Sequence, residues 1–136
     1  MLVSTKGRYA LRVMIDLAEH NDGGYIRLQE IAERQEISKK YMESIMGVLS
    51  KNGIVDGAHG KGGGYRLVKE PSEYRVWDIL QIAEGSLVPV ACLECGSVVC
   101  GKTADCRTYP MWKKLNDIIE DYLCGITIAD LMKEKK

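Results

Sequence analysis

Four cysteines lie close together between residues 92 and 106, at a spacing that could hold a metal. They form the pattern C-x2-C-x4-C-x5-C, made by Cys92, Cys95, Cys100 and Cys106. In a cytosolic chain, which is what we expect here, clustered cysteines indicate metal or redox chemistry before structural disulfides. Thiolates are soft ligands that suit an iron–sulfur cluster, zinc or copper(I), and spacing alone does not choose among them. The fifth cysteine, Cys124, falls on the apolar side of a predicted helix and is interpreted as a small buried hydrophobic residue.

Residues for enzymatic catalysis are sparse in the sequence. His20 and His59 are its two histidines, and neither belongs to a Ser/His/Asp grouping or an HExxH motif. Asp16 and Glu19 share a predicted helix with His20, which we interpret as a polar face of that helix. We therefore predict no enzymatic activity.

The sequence also lacks membrane and export signals. It has no run of about 18 apolar residues, which argues against a transmembrane helix. The opening stretch MLVSTKGRYA has no apolar segment of the kind that secretory signals carry. We therefore expect a cytoplasmic protein with no membrane partner.

A glycine-rich run, DGAHGKGGG, contains five glycines in nine residues, from Asp56 to Gly64. Such a run invites comparison with phosphate-binding loops. A P-loop requires Ser or Thr after its lysine, but Lys61 is followed by Gly62. A dinucleotide-binding fingerprint requires a further glycine that opens a helix, but Tyr65 stands there and a strand follows. The run therefore favours the tip of a β-hairpin over a nucleotide site.

Charge is distributed unevenly along the chain. The formal net charge is zero, with 19 Lys and Arg against 19 Asp and Glu. Residues 38–69, however, contain six Lys and Arg and two Asp and Glu, a local charge of +4. A local basic surface is what contact with nucleic-acid phosphates requires. On charge alone an ordinary solvated face is the simpler interpretation. The predicted helices and strands around residues 38–69 are needed to distinguish it from a nucleic-acid surface.

The spacing of apolar residues predicts a mostly helical chain. Helices are expected over residues 5–21, 28–35, 39–51, 75–84 and 128–133, with a long amphipathic helix beginning near Pro110. Ser38 can cap the third helix with its hydroxyl, and Asn52-Gly53 ends it because glycine readily adopts left-handed backbone. Ile54-Val55 and Tyr65–Val68 are predicted strands on either side of the glycine run. The long helix carries an apolar stripe made by Met111, Leu115, Ile118, Ile119, Tyr122 and Leu123.

A helix pair followed by a glycine-tipped hairpin is typical of a winged helix-turn-helix. The predicted fold class is mostly α with a small β wing. Residues 1–84 form the winged helix-turn-helix domain, residues 85–107 a cysteine-rich sensor segment, and residues 108–136 a long helix with its tail.

In this fold the second helix of the pair enters the major groove of DNA. Ser38, Lys39 and Lys40 suit contacts to phosphates. Glu43 can accept a hydrogen bond from a cytosine amino group, while Tyr41 could equally belong to the core. Candidate DNA-binding residues are therefore Ser38, Lys39, Lys40, Tyr41, Glu43 and Ser44 on the helix, and His59, Lys61, Gly62 and Gly63 on the wing.

Several segments together resemble the IscR-like transcription regulators, the iron–sulfur cluster assembly repressors, over about residues 1–133. The opening KGRYA and the wing GKGGGY are specific to that resemblance. The matching segments are TKGRYALRVMIDLA at 5–18, LQEIAERQEIS at 28–38, YMESIMGVLSKNGIV at 41–55, GKGGGYRL at 60–67 and MWKKLNDIIEDYLCGITIADL at 111–131.

The resemblance implies a homodimeric repressor that binds a double-stranded DNA operator. It makes Pro110–Cys124 the dimerisation helix, which crosses onto the partner subunit. It also implies that Cys92, Cys100 and Cys106 bind an iron–sulfur cluster, either [2Fe–2S] or [4Fe–4S], with Cys95 as an extra cysteine. Iron, oxidants or nitric oxide would then act through that cluster.

Three positions depart from the family pattern. Tyr109 stands where the cluster-assembly repressors have a histidine ligand, so Cys95 or a residue of the partner subunit would have to complete the set. His59 replaces a wing arginine, and Ser44 replaces a glutamine of the recognition helix. A regulator of the same fold with zinc, a thiol–disulfide switch or control of cysteine metabolism therefore stays open. A small iron–sulfur electron carrier is the alternative of a different class, and the helix-turn-helix and wing argue against it.

Overall fold

The order of helices and strands follows the predicted pattern, which confirms a mostly α fold with a small β wing. The structure is a computed structural model that describes residues 3–85, Leu87 and residues 106–132. In chain order its elements are α1 (Thr5–Glu19), α2 (Leu28–Gln35), α3 (Lys39–Lys51), β1 (Val55–Ala58), β2 (Gly64–Leu67), a 3₁₀ turn (Pro71–Glu73), α4 (Val76–Glu84), α5 (Tyr109–Cys124) and α6 (Ile128–Leu131).

The two strands lie closer to the glycine run than the sequence predicted. They pair antiparallel, with Val55 opposite Leu67 and Ala58 opposite Gly64. The predicted strand Ile54-Val55 therefore began too early, and the predicted Tyr65–Val68 was shifted by one residue. Glycine has low intrinsic strand propensity, so Gly57 and Gly64, which form part of this ladder, were not predicted as strand residues.

The main core lies where α1, α2, α3 and α4 pack together. The apolar stripe of α1 is fully covered, and the inner face of α3 packs against it, as their helical periodicity predicts. The largest buried side chains of the main core include Met14, Leu17, Ile31, Met42, Ile45, Met46, Leu49 and Ile79. This core holds the helix-turn-helix in a fixed geometry.

Asp16 corrects the interpretation of the α1 surface as a plain polar face. Its side chain is only 1% exposed and forms two hydrogen bonds with Arg34, Nη2 to Oδ1 at 2.7 Å and Nε to Oδ2 at 3.0 Å. Gln35 Nε2 donates to Asp16 Oδ2 at 2.9 Å. Because buried charges require partners, this carboxylate ties α1 to the end of α2.

The start of α1 is held by a carboxylate from the end of α4. Glu84 Oε1 accepts hydrogen bonds from Ser4 N at 2.9 Å, from Ser4 Oγ at 2.7 Å and from Gly7 N at 3.0 Å. The first N–H groups of a helix lack intrahelical partners and favour a negative charge. A Cβ on Gly7 would overlap Glu84 Oε1, so the glycine of KGRYA makes room for this contact.

Tyr74 joins the base of the hairpin to the start of α4. Its buried hydroxyl donates to Ile54 O at 2.8 Å and accepts from the backbone N–H groups of Val68 at 3.0 Å and Lys69 at 3.1 Å. Burial raises the pKa of Tyr74 above its ordinary value, although the two backbone donors act in the opposite direction. The neutral hydroxyl is therefore the form that the fold stabilises.

Tyr74→Phe is expected to lower the free energy of unfolding by about 1–3 kcal/mol, because it leaves buried backbone groups without a partner. Since the folded-state pKa is raised, the contribution of this hydroxyl is complete below the unfolded-state pKa near 10 and declines at higher pH. Chemical denaturation of both proteins at neutral pH and above pH 10 measures this. The difference between wild type and variant should shrink in the alkaline series, and a constant difference would contradict the assignment.

Helix α5 has two different faces. Ile119, Leu123 and Cys124 are partly buried against a second core cluster that includes Trp77 and Leu80 of α4. Cys124 is therefore a packed apolar side chain at the edge of this cluster, and it is half-buried, whereas the sequence predicted a buried residue. The predicted stripe is thus divided, and its remaining members are largely exposed: Met111 54%, Leu115 38%, Ile118 55% and Tyr122 68%.

The last helix is short and well capped. Thr127 Oγ1 accepts from Asp130 N at 3.2 Å, and Asp130 Oδ2 accepts from Thr127 N at 2.8 Å. This reciprocal pair is a capping box, which confirms the predicted start of the helix. None of the helices in the described ranges combines the length and the apolar character that crossing a bilayer requires.

Candidate nucleic-acid interface

The recognition helix begins where the sequence predicted. Ser38 is the N-cap of α3, and its Oγ accepts a hydrogen bond from Tyr41 N at 3.2 Å. Before it, Glu36 ends α2 in the left-handed region at φ 55°, and buried Ile37 anchors the turn. With the inner face of α3 in the core, its outer face is free to meet a partner.

The predicted DNA-contacting residues of α3 fall into two groups. Tyr41 is half-buried and meets the ring of Tyr9 edge-on, with 5.7 Å between ring centroids. Its packing indicates that it helps to hold α3 in place. The exposed members all lie on the outer surface of the helix or its cap: Ser38, Lys39, Lys40, Glu43 and Ser44.

The wing tip projects a short stretch of backbone with little side chain. Gly60 and Gly62 have φ of 87° and 82°, a region that other residues enter at a cost, and a Cβ on either would meet nothing. These two glycines therefore serve the shape of the tip and leave its backbone accessible. His59 precedes Gly60, and Lys61 lies between Gly60 and Gly62. Both side chains are exposed, and Gly63 is half-buried.

A backbone bridge fastens the wing to the helix-turn-helix. Ile26 N donates to Tyr65 O at 2.8 Å, and Tyr65 N donates to Ile26 O at 2.8 Å. The contact is so close that a Cβ on Gly64 would overlap the carbonyl oxygen of Ile26. The segment that leads into α2 therefore pairs with β2 at this one position, on the side of β2 that does not face β1.

This bridge creates a groove that no pattern in the sequence predicts. The groove has a volume of about 460 Å³ and lies between the wing tip and the starts of α2 and α3. Its lining includes Arg27, Gln29, Lys39, His59 and Lys61, and no carboxylate belongs to it. Arg27 and Gln29 were missed because only the long-range pairing of Ile26 with Tyr65 brings them beside the wing.

The outer side of the hairpin is internally neutralised. Tyr25 Oη donates to Asp56 Oδ2 at 2.8 Å, and this hydrogen bond raises the pKa of Tyr25. The Arg66 guanidinium lies 4.5 Å from the centre of the Tyr25 ring, and its Nε is 3.4 Å from Asp56 Oδ2. Arg66 is therefore partnered.

By contrast, Lys39, Lys40 and Lys61 form no ion pair or side-chain hydrogen bond within residues 3–85, 87 and 106–132.

Of the four predicted metal ligands, the structure describes Cys106; Cys92, Cys95 and Cys100 lie outside the described residues. Cys106 is half-buried just before α5, with Sγ 3.3 Å from Thr108 Oγ1. Hydrogen bonds from the Thr108 hydroxyl, and then from the backbone N–H groups of Thr108 and Tyr109, lower the pKa of the Cys106 thiol.

A lowered pKa favours the thiolate, which is the metal-binding form of cysteine. Cys106 therefore fits the role of a ligand to a thiolate-bound metal or cluster. Tyr109, at the position of the family histidine, begins α5. Within the described ranges, no three His, Cys, Asp or Glu side chains come close enough together to hold a metal ion.

Comparisons with known proteins agree with this architecture. Residues 3–134 match the family model Rrf2, described as an iron-dependent transcriptional regulator. The HTH-type transcriptional regulator IscR of Pectobacterium atrosepticum is 37% identical over 136 residues, spanning 100% of this chain and 82% of the relative.

Solved structures that are similar in fold and sequence include two named regulators. CymR, the global cysteine regulator of B. subtilis, is 33% identical with a TM-score of 0.77, covering 96% of this chain and 95% of that chain. IscR of T. potens is 36% identical with a TM-score of 0.72, covering 96% of this chain and 85% of that chain. The chain belongs to the Rrf2 family of DNA-binding transcriptional regulators.

Proposed function

We propose that the protein is a homodimeric repressor that binds a pseudo-palindromic DNA operator and responds to an iron–sulfur cluster, redox or nitric oxide signal through its cysteines. The observation that carries the DNA-binding part is the surface formed by the outer face of α3 and the wing tip. Lys39 and Lys61 line one groove there, and neither of them nor the exposed Lys40 has a carboxylate partner among the described residues. Because its partner is duplex DNA, we expect it to act in the cytoplasm.

The proposal assigns different roles to the residues of this surface. The start of α3 enters the major groove, where Ser38, Lys39 and Lys40 meet phosphates. Glu43 and Ser44, one turn further on, face base edges, and the carboxylate of Glu43 can accept from a cytosine amino group. The wing carries His59, Lys61, Gly62 and Gly63 toward the adjacent minor groove and its phosphates.

The exposed face of α5 supports a dimer. Met111, Leu115, Ile118 and Tyr122 recur at helical spacing, and no other part of residues 3–85, 87 and 106–132 buries them. An apolar stripe of this kind matches a two-fold interface in which each residue meets the same surface on a second copy. A dimer would present two recognition helices to two half-sites about one helical turn apart.

For the sensor, we propose that Cys92, Cys100 and Cys106 hold a [2Fe–2S] or [4Fe–4S] cluster, with Cys95 or another residue as fourth ligand. A bound cluster supplies a group whose loss or modification reports iron, oxidant or nitric oxide status. The protein's contribution is a cysteine segment that joins α4 to α5. A change in that segment can alter the placement of the two DNA-binding domains, and a coupling of about 1–3 kcal/mol would be typical.

A cluster-free thiol switch is the second candidate, and three observations favour it. Tyr109 replaces the histidine ligand of the cluster-assembly repressors, and the Cys106 thiol has a lowered pKa, which suits oxidation. The similarity to CymR, the global cysteine regulator of B. subtilis, points in the same direction. Mass spectrometry after mild oxidation would detect disulfides among Cys92, Cys95, Cys100 and Cys106.

The DNA-binding proposal predicts two different mutant signatures. Lys40→Ala should weaken binding to every duplex and reduce the salt dependence by about 1 per subunit, because it removes a phosphate contact. Glu43→Ala should leave overall affinity nearly intact but relax the preference at one base pair by about 1–3 kcal/mol. Selection of bound duplexes from a random pool, followed by affinity measurements over a range of salt concentrations, tests both. An unchanged sequence profile for Glu43→Ala would refute its role in base recognition.

The sensor proposal predicts a coloured protein. After anaerobic purification it should be brown and contain iron and acid-labile sulfide. Cys106→Ala should lose both, whereas Cys124→Ala, a change at a cysteine packed against α4, should retain them. A colourless wild type rich in zinc would favour a structural site, and a metal-free one that forms disulfides would favour the thiol switch.

A further inference from the structure

We propose that the groove between the wing tip and the starts of α2 and α3 holds one sugar–phosphate strand of duplex DNA, and that Arg27 is the principal phosphate ligand in it. This inference rests on the proposed function. Neighbouring major and minor grooves of DNA are separated by a single backbone strand. If α3 occupies the major groove and the wing tip the adjacent minor groove, that strand must pass between them.

The composition of this groove suits a phosphate. Arg27 and Lys39 contribute cations from one side, Lys61 and His59 lie at the wing tip, and no carboxylate lines it. The adjoining surface along α2 is different, because a groove of similar volume there is lined by Glu33 and Glu36. Positive charge is therefore concentrated in the passage that a backbone strand would take.

Arg27 is the best-placed side chain in the groove. It is the exposed N-cap residue of α2 and directly follows Ile26, whose bridge to Tyr65 fixes its backbone against the wing. Like the three lysines, Arg27 has no ion pair or side-chain hydrogen bond in the part of the chain that the structure describes. Gln29 is less available because its amide already donates to Glu33 Oε1 at 3.2 Å.

The chemistry of arginine strengthens this choice. A guanidinium can donate two parallel hydrogen bonds to a phosphate, whereas an ammonium acts as a point charge. Arg27 therefore combines a fixed backbone with a planar, bidentate donor. A contact of this kind positions the protein on the duplex without reading its sequence.

The test combines a protein change with a DNA change. Duplexes selected by the wild-type protein are resynthesised with one phosphate at a time replaced by a neutral methylphosphonate. Wild type, Arg27→Ala, Arg27→Lys and the control Lys69→Ala are then compared by fluorescence anisotropy at several salt concentrations. Lys69→Ala makes the same charge change at the base of the hairpin, beside Glu70 and Glu73.

Arg27→Ala should weaken binding to all duplexes by about tenfold per subunit, the size of one charge-assisted hydrogen bond, and lower the salt slope by about 1 per subunit. Arg27→Lys should recover part of the loss, and Lys69→Ala should bind like wild type. At one phosphate between the two grooves, methylphosphonate should weaken wild type but not Arg27→Ala.

Two results would overturn the inference. The first is an Arg27→Ala protein that loses no affinity while Lys40→Ala does, which would leave the regulator intact and the groove empty. The second is a set of duplexes in which every methylphosphonate that weakens binding by wild type weakens binding by Arg27→Ala to the same extent. If neither wild type nor Lys69→Ala prefers any duplex over random competitor, the proposed function itself fails, and that outcome is distinct from both.

Discussion

Replacing Asp16 with alanine is expected to lower the free energy of unfolding by about 2–3 kcal/mol. Removing one partner of a fully buried ion pair typically costs about 3–5 kcal/mol. Here the Arg34 side chain is 33% exposed and can turn toward water, so we place the cost below that range. Gln35 also loses its acceptor. Chemical denaturation of the wild type and the variant measures the difference.

A double-mutant cycle separates the ion pair from the rest of the site. Arg34→Ala and the double variant Asp16→Ala/Arg34→Ala complete the cycle, and contacting residues in one network usually show coupling of about 0.5–3 kcal/mol. Arg34→Ala should lower the free energy of unfolding in the wild-type background and leave it nearly unchanged in the Asp16→Ala background. A loss below about 0.5 kcal/mol for Asp16→Ala, the size of an ordinary surface change, would restore the polar-face interpretation.

Introducing a charge at Ile118 is expected to have the largest effect on DNA binding. Ile118→Glu places a carboxylate at the centre of the exposed apolar face of α5, where a dimer would have to bury it without a partner. The protein should become monomeric. Because a monomer loses the gain from binding two linked half-sites, operator affinity should fall by about 100-fold or more.

Sedimentation and operator titration on the same samples measure both effects. Val68→Glu is the matched control, since Val68 is an exposed apolar residue at the end of the hairpin, 49% exposed. It should stay dimeric and bind the operator. An Ile118→Glu protein that sediments as a dimer would show that this face is not the interface, and a monomeric wild type would remove the dimer from the proposal.

The helices could be predicted from the sequence because their signals are local. The apolar stripes of α1 and α3 repeat at helical spacing, and Ser38 and Gly53 mark the ends of the recognition helix. Such signals depend on neighbours within a few residues. They therefore hold whatever the rest of the chain does, and they placed the exposed residues of α3 correctly on its surface.

The remaining features depend on contacts between distant residues. Asp16 lies beside the apolar stripe of α1, and its burial makes sense only with Arg34, which is 18 residues away along the chain. Arg27 lies beside the wing only because Ile26 pairs with Tyr65. No periodicity connects these positions, so the sequence predicted the residue types available to the interface but not the groove that unites them.

The bridge between Ile26 and Tyr65 has a consequence for regulation. Two backbone hydrogen bonds of 2.8 Å join the hairpin to the segment that leads into α2 at this point. We therefore expect the hairpin and the helices beside it to move together. In the proposed dimer, a signal from the proposed cysteine sensor should therefore change the tolerance for an inserted or deleted base pair between half-sites, while the sequence preferred within each half-site stays the same.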